Sequence, residues 1–353
     1  MYSPILRNRQ SERLGFKHLS KNCREHVMPL FDVAAPTKAS DQAKGQAFVA
    51  RNIARTGSIV NNLRAVFVDS SELDPSFRLA DGAHPLIAAA NAIANSGVRP
   101  IPVTGLHRDA THNAATFAIS KVQAPQEVCL RLDATDVSTA TLTSRRIESF
   151  LSEHSTASSL TYLLLDMQCL YGTDKDAVAR QIRRLLDLLS ARAWAGIIIG
   201  GYGLPDQLSS AVQTNEQRYL PRIEQDVFYD LATHAIDAEK WFADYTILPP
   251  SVVELDWKLI QRVMAPKALY TLGNTWFIVR GGAFSSHADG YDQYYSIAGG
   301  IVALDEYCGQ DYSYGDKHIW ERSQRIGTPG NPASWITAGV NHHITFTAET
   351  HAK

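Results

Sequence analysis

Five aspartates stand at the same kind of place in this chain. Asp32, Asp69, Asp133, Asp166 and Asp244 each follow a short apolar run, as in VMPLF, AVFV, VCLRL and YLLL, and as Ala243 before Asp244. If those runs are strands whose ends meet at one rim, the carboxylates meet there too. Carboxylates left unpaired in a partly buried site repel one another and cost free energy, so they need cations or hydrogen bonds. A hard divalent ion such as Mg²⁺ suits oxygen ligands, and Asp133, Asp166 and Asp244 are the expected metal set. Arg7, Arg131 and Arg280 are the alternative neutralisers and the expected grip on an anionic ligand. With either partner, Asp69, Asp166 or Asp244 is a candidate for proton transfer. The plain structural reading of each single Asp is a helix cap or a turn.

A second set surrounds the stretch IIIGGYGLPDQLSS. Gly200, Gly201 and Gly203 would let backbone N–H groups approach a phosphate, and Pro205 can open a helix. No Walker-type lysine follows, so this is not an NTPase loop. Ser70 and Ser71 lack a GxSxG context, and a serine nucleophile is not expected. His107 and His112 are not at the four-residue spacing of a helical metal pair and read as solvated; His84 before Pro85 reads as a cap. Trp276, Phe277 and Arg280 suit base stacking or, more plainly, a hairpin packed on the core. In SWITAGVNHHITF, Ile344 and Phe346 alternate around Thr345, which predicts a short strand with His342 and His343 diverging. His343 is the expected inward residue, oriented by Asp316, with TPGNPASW folding over the rim on Trp335.

The elements that must position these residues are legible as a pattern. Apolar runs that are nearly continuous, not alternating, read as strands buried on both faces, as in parallel sheets. Helix-like segments separate them. HPLIAAANAIANSG has Pro85 near its start and Gly97 past its end, and TDKDAVARQIRRLLDLLSAR offers Thr173 as a cap with Val178, Ile182, Leu185 and Leu189 on one face. QRYLP, ending at Pro221, reads as a proline break within such a segment. Eight such units predict an α/β fold, a TIM-like (β/α)8 barrel over residues 1–250. Residues 251–353 then form a C-terminal extension integral to the same domain: a hairpin around Gly273-Asn274, a helix near Tyr294–Tyr307 and a loop-rich tail. A doubly wound sheet is disfavoured because no GxGxxG follows the first strand.

Composition narrows the function classes. Hydrophobic residues make up 45%, enough for a core, and 34 basic against 36 acidic residues leave a net charge of −2. That balance gives no overall attraction to nucleic acid or anionic membrane. Four scattered cysteines without a CxxC pair argue against a zinc knuckle and fit a reducing, cytoplasmic setting. No run reaches membrane-span length.

YSPILRNRQSE, MPLFDV, HPL with a helix and then RPIPV, LLLDMQ, Asp244-Tyr245, WFIVRGG, SYGDKHI and AGVNHHIT occur in that order along the chain. Together they resemble the phage and bacterial "beta family protein". The resemblance implies a protein from phages, phage satellites and mobile defence loci, encoded beside toxin-like or defence genes. It also implies a lysine where Arg7 or Arg9 stands, and Phe-Pro after the seventh strand, where this chain has Gly-Gly-Tyr-Gly-Leu-Pro. Two functions are therefore expected. One is a barrel-mouth pocket for a phosphate-bearing ligand, a nucleotide or nucleic-acid end, with metal-dependent phosphoester hydrolysis. The other is a non-catalytic module that docks and neutralises or senses a protein partner from the same locus. The expected setting for either is phage defence or inter-phage competition.

Overall fold

The computed structural model describes residues 1–36, 41–250 and 264–352. The expected boundary at 250/251 falls at the edge of 251–263, outside the described residues. Parallel strands β1 (Tyr2–Leu6), β2 (Leu30–Asp32), β3 (Ala65–Asp69), β4 (Arg99–Thr104), β5 (Val128–Asp133), β6 (Thr161–Cys169) and β7 (Gly196–Tyr202) follow in order around a ring. Strand β8 (Glu216–Pro221) leaves the ring, and β9 (Lys240–Asp244) closes it between β7 and β1. The eight-stranded barrel is thus present, with each strand where its apolar run predicts it.

Helices α1 (Gln10–Lys17) and α2 (Lys21–Glu25) lie between β1 and β2; α3 (Gln42–Gly57), α4 (Pro85–Ala94) and α5 (Ala110–Lys121) follow β2, β3 and β4. After β5 come α6 (Ala134–Ser138) and α7 (Ala140–Glu153), after β6 α8 (Lys175–Leu189), and before β9 α9 (Ile223–Ala232). Helix α8 buries Val178, Ile182, Leu185 and Leu189 as its period demands. Its cap is Asp174, whose carboxylate accepts from two first-turn N–H groups, and not Thr173. His84 caps α4 through Leu86 N–H, as its place before Pro85 predicts.

Inside the ring, strand alternation sorts residues. Phe67, Tyr162 and Trp241 meet along the axis, with ring centroids 5.2 Å (Phe67–Tyr162) and 5.3 Å (Tyr162–Trp241) apart. Gly196, level with Tyr162, makes the room: a Cβ there would lie 2.9 Å from that ring. This aromatic plug fills one end of the barrel and leaves the carboxyl ends of the strands to form the mouth.

QRYLP is not a broken helix. It is β8, and it pairs antiparallel with β11 (Thr275–Arg280), which pairs with β10 (Lys267–Leu272) across the Gly273-Asn274 turn. Helices α10 (Gln293–Val302) and α11 (Tyr314–Ser323) back this sheet, with Tyr270, Phe277, Tyr294, Ile297 and Ile319 in a second core. The tail differs most from expectation. Residues Pro332–Ala352 form one 21-residue helix, α12, where a strand was predicted. The run of β-branched residues reads locally as strand. Burial overrides that propensity: Val340, Ile344 and Ala348 join the barrel core. The threonines bend their hydroxyls back to carbonyls one turn earlier, Thr345 to Asn341 and Thr337 to Ala333. Asn331 caps the first turn ahead of Pro332. TPGNPASW does not cover the rim, because Trp335 stacks on Tyr294 at 4.7 Å in the second core.

The helix is fastened at its middle and at its C-terminal end. Asn341 donates to the Gly15 carbonyl (2.9 Å), and the N-terminal amine donates to the His351 carbonyl (3.3 Å). Ile344→Ala is expected to lower unfolding free energy in urea by about 2–5 kcal/mol, since the cavity lies where neighbours on both sides are fixed. The exposed Leu142→Ala should change it by less than about 0.5 kcal/mol. Equal effects would contradict the placement of α12 in the core.

Candidate functional site

The carboxyl ends of the barrel strands enclose a cleft of about 380 Å³, lined by Arg7, Asp32, Arg108, Arg131, Asp166 and Tyr245 among others. Arg131, pointing inward from β5, forms its floor. Nη1 donates to Asp32 (2.8 Å) and Asp69 (3.0 Å), Nε to Asp166 (2.9 Å) and Nη2 to the Tyr245 hydroxyl (2.9 Å). Tyr245 in turn donates to Asp166 at 2.5 Å. One guanidinium therefore ties together the ends of β2, β3, β5, β6 and β9. Burial alone would loosen the Arg131 proton; Asp32, Tyr245, Asp166 and Asp69 outweigh it and hold the group charged, well above its usual value.

The carboxylates differ in what they receive. For Asp69, burial is outweighed by Arg108 (2.9 Å) and Arg131, and its pKa is lowered. Among the described residues, Asp32 is paired with Arg131 alone. Burial pushes it up to about 7 against that arginine, with Asp69 and Glu72 adding repulsion. Asp32 is thus placed to hold a proton near neutrality, where Asp69 is held ionised. That is the property of a proton-transfer group.

Asp133 lines the same cleft but spends one oxygen capping α6, accepting from Thr135 and Asp136 N–H. Asp136 accepts from the Asp133 N–H and meets His107 at 3.0 Å. Arg7 is paired with Glu72 at 2.9 Å. The expected metal set does not assemble: Asp133 caps, Asp166 faces arginine, and Asp244 lies elsewhere. Among the described residues, no three His, Cys, Asp or Glu side chains are grouped to hold a metal ion.

Asp244 is the clearest correction. On β9 the interior side chains are Trp241 and Tyr245, so alternation turns Asp244 away from the mouth toward α12. There it accepts from the Tyr2 hydroxyl (2.6 Å), Arg222 (3.2 Å) and His343 Nε2 (2.8 Å), all fully buried. Burial alone would raise Asp244, but His343 and Arg222 bring it down to about 2. His343 does not look into the mouth. It stacks on Trp276 at 4.9 Å, with Nδ1 2.8 Å from Thr271 Oγ1. Asp316 orients the other histidine: His342 Nδ1 lies 2.9 Å from Asp316 and Nε2 3.0 Å from the Thr271 carbonyl. The two rings diverge because neighbours on a helix point about 100° apart, not because of strand alternation.

The glycines and Arg280 are also placed differently. Gly200 and Gly201 lie within β7, registered with Asp166, Ala243 and Asp244, so they form no free loop. Gly203 follows β7, but a Cβ there would meet the Glu224 carboxylate at 2.1 Å. The glycine makes room for that packing, and it does not line the cleft. Arg280 donates to the Val212 carbonyl (3.0 Å) at the end of β11, outside the cleft. His112 is buried and not solvated. Arg108 and Tyr245 are among the mouth residues that escaped the sequence reading. Tyr245 was recoverable by counting alternation from Trp241. Arg108 sits in the loop after β4 and gave no periodic signal.

Arg131→Met should destabilise the protein by about 3–5 kcal/mol at pH 8, leaving Asp32, Asp69 and Asp166 short of their cation. Asp32, already raised by burial, would then lie further above its unfolded pKa. Such an acid favours the fold below the unfolded pKa and loses that contribution as pH rises through the folded one. The deficit relative to wild type, measured by urea unfolding, should therefore shrink at pH 5.5. A pH-independent deficit would show simple loss of packing.

Compared with known proteins, a family model described as "Beta protein" matches residues 2–349. No curated relative matches. Two chains of known structure match. One of them, from Coccidioides immitis and provisionally named a fructose-1,6-biphosphate aldolase, is 8% identical with a TM-score of 0.41; the match covers 99% of this chain and 88% of that one. At that level the likeness carries no functional information. No helix among the described residues is long and apolar enough to cross a membrane.

Proposed function

We propose, for a chain that belongs to the Beta protein family, that the barrel mouth binds a small phosphate-bearing ligand, a nucleotide or the phosphorylated end of a nucleic acid. Arg108 is the observation that carries this reading. Its guanidinium meets Asp69 through Nη2, and among the described residues Nε and Nη1 make no hydrogen bond to the protein. The side chain lines the cleft and is about a quarter exposed, at 23%. Arg7 stands on the same cleft and shares its charge with Glu72. A guanidinium with spare, forked donors suits a phosphate better than any carboxylate already in the site. The cleft volume is of the order that holds a small ligand, not a duplex.

Asp32 supports a chemical step. A carboxyl protonated near neutrality, beside a fixed cation, can give a proton to a leaving oxygen or take one from water. That makes phosphoester hydrolysis the reaction class the mouth suits. The family resemblance supplies the wider setting: a cytoplasmic role in phage defence or inter-phage competition, with a protein partner from the same locus.

Calorimetric titration with AMP, a 5′-phosphorylated dinucleotide and their unphosphorylated counterparts tests the reading. The phosphorylated ligands should bind. Arg108→Gln should weaken them by about 10–100-fold, the range set by loss of charged hydrogen bonds worth about 1.5–3 kcal/mol. Equal binding of adenosine and AMP, or no binding at millimolar concentration, would overturn it and favour the docking-module role.

A further inference from the structure

A second cleft of about 150 Å³ opens beside the mouth and shares Ser71, His107 and Arg108 with it. Ser70, the residue after β3, and His112, on α5, both line this cleft. Ser70 Oγ lies 3.5 Å from His112 Nδ1. On the far side of the ring, His112 Nε2 is 2.9 Å from the Val103 carbonyl oxygen. A carbonyl only accepts, so Nε2 carries the proton in the neutral ring. Nδ1 is then left as an acceptor aimed at the serine hydroxyl. The orienting group that nucleophile–base pairs require is here a backbone carbonyl. A separation of 3.5 Å is long, as such contacts are before a substrate tightens them.

The rest of the lining is mixed: Arg108, His84 and His107 stand with Asp74, Asp109 and apolar side chains such as Leu73 and Phe77. Arg108 reaches the cleft while holding Asp69, the neighbour of Ser70 in the chain. His84 packs edge-on against His112 at 6.0 Å, and its Nδ1 accepts from Leu86 N–H. In its neutral form, therefore, His84 carries its proton on Nε2, as a further donor on the cleft wall.

We propose that Ser70 and His112 form a nucleophile–base dyad in this side cleft, acting on carboxylic esters. Ser70 Oγ bonds to the ester carbonyl carbon as its proton passes to His112 Nδ1, and the carbonyl π pair moves onto oxygen. Arg108 and the His84 N–H are the donors for that oxyanion. Collapse breaks the bond to the alcohol oxygen, which takes the proton from Nδ1. Water then gives a proton to Nδ1 as its oxygen bonds the acyl carbon, and the departing Ser70 oxygen recovers that proton. The dyad shares Arg108 with the phosphate reading of the mouth but is tested apart from it, on Ser70 and His112.

The test is labelling of the full-length protein with a fluorophosphonate probe, read by intact mass and peptide mapping, with p-nitrophenyl acetate turnover alongside. One adduct is expected, on Ser70, and it should vanish in Ser70→Ala. It should persist in Ser71→Ala and slow by about 100-fold or more in His112→Gln, as removal of a general base does. Because His112 is buried, melting curves accompany each variant. Ser70→Cys gives an independent reading: its thiol should alkylate with iodoacetamide faster than in Ser70→Cys/His112→Gln. No adduct on Ser70 of the folded wild type, an adduct on Ser71 instead, or a rate indifferent to His112 would overturn the dyad.

Discussion

Arg131 is the constraint around which the mouth is organised. A guanidinium drawn to the barrel axis is costly to desolvate, and so are the acids around it. Together they are tolerable because planar, forked donors reach Asp32, Asp69, Asp166 and Tyr245 at once. The same contacts fix the ends of the surrounding strands relative to one another. Among the described residues, they also leave Asp32, Asp69 and Asp166 with only Arg131 and Arg108 as cations. Burial, with the repulsion of Asp69 and Glu72 added, pushes Asp32 up to about 7 against its one arginine.

A second buried network does structural work behind the barrel. Asp244, Arg222, His343 and Tyr2 join β1 and β9 to α12, while Asp316 and His342 join α12 to the three-stranded sheet. Breaking such a network leaves a charge without water or partner, which costs more than the network contributes when whole. The two adjacent histidines at the chain's end serve this seam. Their directions differ, so each can hold a different carboxylate. The seam also fixes β9, and with it Tyr245 at the mouth. In this way the extension supports the site without lining it.

The barrel was legible because parallel strands buried on both faces leave continuous apolar runs, and AVFVD, VCLRLD and YLLLD mark their ends without ambiguity. Arg131 and four of the five strand-end acids were legible too, as polar residues at those ends. Position at a strand end is not direction, however. Asp244 and Tyr245 are adjacent, and alternation sends only one of them inward. The tail was misread for a different reason. Thr345, Thr347 and Ile344 carry strand propensity, and only the groove between barrel and sheet decides for a helix. Gly200 and Gly203 misled because glycine marks close packing as readily as ligand approach. Ser70 and His112 are forty-two residues apart by number, and no linear motif joins them.

The central claim is that the mouth holds a titratable proton on Asp32 at physiological pH. Carbon-13 NMR of aspartate-labelled protein measures this directly, with the Asp32 carboxyl resonance assigned from Asp32→Asn. The account predicts that this resonance titrates near pH 7, pushed up by burial against Arg131, while Asp69, beside Arg108 and Arg131, titrates below the ordinary aspartate range. An Asp32 resonance that completes its titration below about pH 4, as an ordinary solvated aspartate does, would contradict it.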